Sequence, residues 1–107
     1  MPRYFLTEEA AEDLRAIWDY IAPENKSAAD RVIADLVSGF EHLALWPRTG
    51  RPRPEITQEA IRFWLVRKWL IAYVENQDAV IILAVFHGAQ DLPAVIGERI
   101  KHQSSDD

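Results

Sequence analysis

The sequence of 107 residues predicts a single α+β domain, and three observations predict it. Apolar residues recur every three or four positions up to residue 46 and every second position from residue 61, the periods of a helix surface and of a strand. A tract rich in proline separates the two regions, and a wholly apolar run follows within the second. Helical and extended segments segregated in this way along a chain pack as helices against an antiparallel sheet.

Taken in order, Tyr4-Phe5-Leu6 predicts a short strand over 3–6. Thr7 then offers a capping hydroxyl, and Glu8 and Glu9 place negative charge in the positive first turn of a helix over 8–22. Its apolar stripe is Ala10, Leu14, Ile17 and Ile21. Pro23 breaks the pattern, and Asn25 or Ser27 caps a second helix over 26–46 with the stripe Ala29, Val32, Leu36, Phe40 and Leu43. The short connection makes the two an antiparallel hairpin. Trp18 and Trp46, on or beside these stripes, are expected in the core. Residues 47–54 hold three prolines and a glycine and are expected to form no regular element.

Three strands follow, over 61–67, 69–75 and 79–86, with Arg67-Lys68 and Asn76-Gln77-Asp78 as the turns. In the first of them, Ile61, Phe63 and Leu65 are expected to face the core, with Arg62, Trp64 and Val66 on the other face. The run 79–86 is apolar throughout and rich in β-branched residues, as a strand covered on both faces would be. A short helix over 92–99 closes the domain, and residues 101–107 are expected to fray. The expected architecture is an N-terminal strand, an antiparallel helix hairpin, a three-stranded antiparallel meander and a short C-terminal helix. It forms two layers, with the hairpin on one face of an antiparallel sheet. Leu14, Ile17, Leu36, Phe40, Leu83 and Val85 are expected core positions.

Composition narrows the function. The chain has no cysteine, which removes disulfides, thiolate zinc sites and a cysteine nucleophile and suits a reducing cytoplasm. No apolar run approaches the ~18 residues that span a bilayer, and no signal peptide is read at the start, so the expected location is cytoplasmic, with no membrane partner. The net charge of −5 argues against indiscriminate nucleic-acid binding. The distribution is uneven: residues 48–68 hold six bases and two acids, half of all Lys and Arg in the chain. A basic surface on an acidic domain suits an acidic partner, and it is also what an ordinary solvated loop looks like.

The opening Tyr4-Phe5-Leu6-Thr7-Glu8-Glu9-Ala10-Ala11-Glu12-Asp13-Leu14, followed by Ile17-Trp18-Asp19-Tyr20-Ile21, resembles that of the ParE/RelE toxin superfamily. The ending, a hydrophobic strand running into His87-Gly88-Ala89-Gln90-Asp91, is similar too, as is the tract Thr49-Gly50-Arg51-Pro52 before the sheet. The resemblance covers residues 4–99. It implies a ParE-like plasmid stabilisation toxin of a type II toxin–antitoxin system with the RelE/ParE-like two-layer fold, partnered by a cognate antitoxin. Toxins of this kind bind DNA gyrase or, in the RelE branch, act as endoribonucleases that cut messenger RNA on the ribosome. A third possibility is a non-toxic member that retains antitoxin binding.

The two active branches make different chemical demands. Cleaving RNA through its 2′-hydroxyl needs a general base, a general acid and cations at the developing charge, whereas inhibition of gyrase needs only a surface that binds. The candidates for a catalytic role are His87, Arg62 and Arg67, and those for binding a target or partner are Arg51, Arg53, Arg62, Trp64, Arg67, Lys68 and His87. His87 beside a strand end is of the residue type that serves as general acid or base, or it serves only to hold the turn. Trp64 near Arg62 suits a binding surface, or it is covered by Trp69 and Tyr73. Around His87, Phe86 lacks a hydroxyl, Gly88 has no side chain, and Ala89 and Gln90 are uncharged, a departure from the cleaving relatives that favours gyrase binding. His42 and His102 have no second ligand at metal-binding spacing, so neither a metal nor another cofactor is expected. The sheet face away from the hairpin is expected to need covering by side chains or by a partner.

Overall fold

The computed structural model of the protein describes residues 3–88 and 90–104. Strand β1 (Arg3–Leu6) leads into helices α1 (Glu8–Ile21) and α2 (Lys26–Leu45). Then come β2 (Arg51–Pro52), β3 (Arg62–Val66), β4 (Trp69–Asn76), β5 (Ala79–His87) and α3 (Leu92–Ser104). The strands form a five-stranded sheet in the order β1-β5-β4-β3-β2.

Local chemistry sets the boundaries. The Thr7 hydroxyl accepts from the Ala10 N–H at 3.1 Å, and the Asn25 side chain accepts from the Ala28 N–H at 2.9 Å, which makes Asn25 the cap of α2. Two tight turns build the meander, and each begins with a residue in the left-handed region, Arg67 at φ 56° and Gln77 at φ 57°. Gly39 lets α2 approach the sheet closely, since a Cβ there would sit 3.1 Å from Cγ2 of Val66.

The α+β class and the element order are those expected, and several details differ. β1 pairs with β5 in parallel, so the sheet is mixed and not wholly antiparallel. The reason is topological, because the hairpin carries the chain back across the sheet before the meander begins. Arg51 and Pro52, expected in an irregular loop, pair with Phe63 and Arg62 as an edge strand. Proline is tolerated there because an edge strand leaves one side of its backbone unpaired. Helix α3 runs to Ser104, past the expected end at 99, and residues 105–107 of the expected frayed tail lie outside the described residues.

The helices do not all lie on one face. Ile17, Leu36, Phe40, Leu43, Ile71 and Tyr73 form a core between the hairpin and the sheet. On the opposite face Ile56, Ile61, Phe63, Leu70 and Phe86 form a second core closed by Ile96 of α3. The chain thus covers much of the sheet face that was expected to need a partner. β5 supplies Val80, Ile82 and Val85 to the first core and Leu83, Ala84 and Phe86 to the second, which accounts for its unbroken apolar sequence. Of the expected core positions, Ile17, Leu36, Phe40, Leu83 and Val85 are buried, and Leu14 is partly buried against the first core.

Three apolar expectations are corrected, the first being Trp18, which is only half-buried outside both cores because its indole N–H donates to Asp30 at 2.8 Å. Trp46, expected in the core, is 63% exposed because α2 has already ended and its ring leaves the stripe. Leu65, expected on the core face of β3, is 59% exposed, while Trp64 and Val66 pack against the hairpin core. Both faces of β3 meet apolar material, so its alternation does not reveal which end of each face is covered.

β1 ends opposite Ile82, and beyond that point β5 presents an open edge; in its ladder with β4 on the other side, Leu83 is the extra residue of a bulge between the partners of Ala72 and Tyr73. Side chains satisfy the edge. Asp13 accepts from the Val85 N–H at 2.9 Å, Arg99 donates to the Leu83 carbonyl at 2.8 Å, and Gln90 accepts from the His87 N–H at 2.9 Å. Asp13 and Arg99 also pair with each other. Covering an edge in this way prevents it from recruiting a stray strand.

Candidate functional site

The candidate residues fall into two groups at opposite ends of β3. Arg62 lies opposite Tyr73 and Val66 lies opposite Trp69, which in turn lies opposite His87. At ~3.3 Å per residue, Arg62 and His87 are thus ~13 Å apart along the strand direction, with an intervening strand besides.

The first group surrounds the connection from α2 to the sheet. The Tyr73 hydroxyl donates to the Pro47 carbonyl at 2.5 Å and accepts from the Gly50 N–H at 2.9 Å. Arg62 Nη1 donates to the Gly50 carbonyl at 2.7 Å, and its Nε lies 3.9 Å from Glu75. Burial raises the pKa of Tyr73 above its ordinary value, because the phenolate would be stranded in the core. Gly50 is required here, since a Cβ would come within 2.5 Å of the Tyr73 oxygen. Arg51 is exposed on β2. Arg53 donates to Glu55 at 2.6 Å, and that hydrogen bond holds the Glu55 carboxyl below its ordinary pKa.

The second group sits at the β3–β4 turn. Arg67 contacts Asp35 of α2 at 2.5 Å, an exposed ion pair. Lys68 Nζ lies 5.8 Å from the centroid of the Trp69 ring, and His87 meets the same ring edge-on at 5.5 Å. The buried Trp69 indole N–H has no hydrogen-bond acceptor among the described residues. Trp64, between the two groups, stacks on His42 at 4.9 Å, and His42 Nε2 lies 3.0 Å from the Thr49 hydroxyl. Neither Trp69 nor Tyr73 is the partner its ring stacks on; the covering residue comes from α2.

The structure therefore brings Lys68 and His87 together around Trp69 at the end of the sheet where Arg67 turns, and holds Arg62, Arg51 and Arg53 at the other end. Tyr73 and Asp13, which organise these regions, were missed by sequence reasoning. A hydroxyl inside the run 70–74 was the available signal, because a buried tyrosine oxygen needs partners. Among the described residues no three His, Cys, Asp or Glu side chains gather as a metal site, and no helix is long and apolar enough to cross a membrane.

Comparison with known proteins agrees with this architecture. The family model for the ParE toxin of the type II toxin–antitoxin system parDE matches residues 4–92. Toxin ParE3 of Caulobacter vibrioides is 27% identical over 100 residues, covering 92% of this chain and 99% of that protein. A solved chain of the chromosomal ParDE system from P. aeruginosa superposes with a TM-score of 0.68 at 22% identity, covering 81% of this chain and 96% of that one. With the element order, the mixed sheet and the match over residues 4–92 in agreement, the chain belongs to the ParE toxin family of type II toxin–antitoxin systems.

Proposed function

We propose that this toxin arrests growth in the cytoplasm by binding DNA gyrase, without covalent chemistry, and that a cognate antitoxin neutralises it. The observation that carries this reading is the division of the candidate groups. Arg62 is anchored on the Gly50 carbonyl, Arg67 on Asp35 and Arg53 on Glu55, and the strand length separates Arg62 from His87. Cleavage of RNA requires acid, base and cations around one phosphate. The groups at the turn are better suited to protein contact: Arg67 and Lys68 form the turn just beyond exposed Leu65, so cationic and apolar side chains occur together at that end of β3. A cognate antitoxin is supported by the family and by the likeness to a chain from a ParDE system.

The test is to free the purified toxin from its antitoxin and assay gyrase supercoiling alongside cleavage of ribosome-bound message. Inhibited supercoiling with intact message is the expected result. Site-specific cleavage that disappears in His87→Ala would place the protein among the ribonucleases instead.

A further inference from the structure

A cavity of about 410 Å³ lies on the α3 face of the sheet, beside the Arg62 end of β3. Ile61, Val74, Leu83 and Ile100 line it on the apolar side, together with the exposed residues Glu59 and Glu75. A second cavity of about 250 Å³ shares Ile61 and Glu75 with it and continues to Pro52 and Arg62 at the β2 edge. Together they make a groove running from the edge strand to the C-terminal helix.

We infer that this groove is a docking site for a protein partner's segment that carries a basic side chain next to a large apolar one. Charge complementarity selects that occupant. Glu59 and Glu75 are both exposed, and Glu75 has only a long ion pair at 3.9 Å with Arg62, whose guanidinium also donates to Gly50. The apolar lining offers burial to an aliphatic or aromatic side chain, and the two glutamates offer acceptors to the guanidinium or ammonium beside it. The inference stands apart from the gyrase reading because the groups at the β3–β4 turn do not line the groove and because its readout is peptide binding, not supercoiling.

The experiment is a titration of isotope-labelled toxin, followed by amide chemical shifts, with two synthetic peptide probes. One is N-acetyl-leucyl-arginyl-leucyl-arginine amide, and the other has glutamate in place of arginine. The basic peptide is expected to give saturable shifts at Ala60, Ile61, Glu75 and Ile100, and the acidic peptide none. Each exposed ion pair contributes modestly, so the double variant Glu59→Gln/Glu75→Gln should bind the basic peptide about threefold to tenfold more weakly. Ala60→Arg, at an exposed position shared by both cavities, should block the groove without unfolding the domain. Equal response to both peptides, no response to either, or shifts confined to the helix hairpin would overturn the inference. So would shifts at the groove that depend on toxin concentration with no peptide present, which would make a second copy the occupant.

Discussion

Asp13 of α1 and Arg99 of α3 meet through two parallel hydrogen bonds, 2.8 and 2.9 Å long, around the open edge of β5. The pair joins helices that lie on opposite faces of the sheet, and each partner also satisfies a backbone group of β5. The hydrogen bond to Asp13 raises the pKa of Arg99, which keeps the guanidinium charged at any working pH. Asp13→Ala leaves a largely buried cation and the Val85 N–H without their acceptor. The expected cost is about 2–4 kcal/mol in urea unfolding, at the lower end of what breaking a buried pair costs because both side chains keep some solvent. Asp13→Asn should recover part of this loss; a cost under about 0.5 kcal/mol for Asp13→Ala would show that the pair is only decorative.

Tyr73 predicts an alkaline limb of stability. Its folded pKa lies above the ordinary 10.0, so the unfolded chain releases the phenol proton first as pH rises. The contribution is complete below that value and declines as pH climbs through and past it. Tyr73→Phe should flatten this limb and cost about 1–3 kcal/mol near neutrality, since the buried Gly50 N–H loses its acceptor. Urea midpoints of both proteins compared across the alkaline range provide the check.

Gly50→Ala should be as damaging as Tyr73→Phe or worse, because the added methyl meets the Tyr73 ring and the Phe63 carbonyl together. Crystallography or amide exchange should then find the connection from α2 to β2 displaced while the hairpin keeps its protection. An unperturbed connection would mean that Tyr73 does not fix it.

Two arginines that look equivalent in sequence should behave differently. Arg67→Ala removes an exposed ion pair and should change stability by about 0–1 kcal/mol, whereas Arg62→Ala exposes the need of the Gly50 carbonyl and should cost about 1–2 kcal/mol. On the gyrase reading, Arg67→Ala weakens supercoiling inhibition gradually, through affinity, with the fold unchanged. Identical thermal midpoints for the two variants would refute the structural role of Arg62.

Gln77 offers a gain. It holds a left-handed conformation that a β-carbon disfavours, so Gln77→Gly should stabilise the protein by about 0.5–1 kcal/mol after the added flexibility of the unfolded chain is counted. A lower thermal midpoint for Gln77→Gly would contradict this.

Much of the fold was legible because local chemistry decides it. The cap at Thr7, the hairpin stripes and the double-faced apolar run of β5 follow from residue type and spacing alone, whereas the sequence left Asn25 and Ser27 both open as the cap of α2. The site was less legible, because what decides it is the identity of partners far apart in the chain. Nothing near Arg67 announces Asp35, nothing near Arg99 announces Asp13, and Trp64 rests on a histidine from the end of α2. Alternation in β3 correctly separated two faces, but it could not tell that Leu65 lies past the cover of Ile56 and α3. The parallel placement of β1 was hidden for the same reason, since four residues carry no mark of the strand they will join.

That parallel pairing has a kinetic consequence. A ribosome makes β1 first, yet its partner β5 is the last of the described strands to emerge, so Arg3 must wait for Ala79 before the sheet can close at that edge. The helix hairpin between them forms through local contacts, which are quick, whereas closing so long a loop is slow. For that interval the apolar stripes of the nascent hairpin stand without their floor, and the newborn chain is at its most prone to aggregate. The danger ends only when β5 slides in between β1 and β4, so the last third of translation, more than the first, decides how much of this toxin survives its own birth.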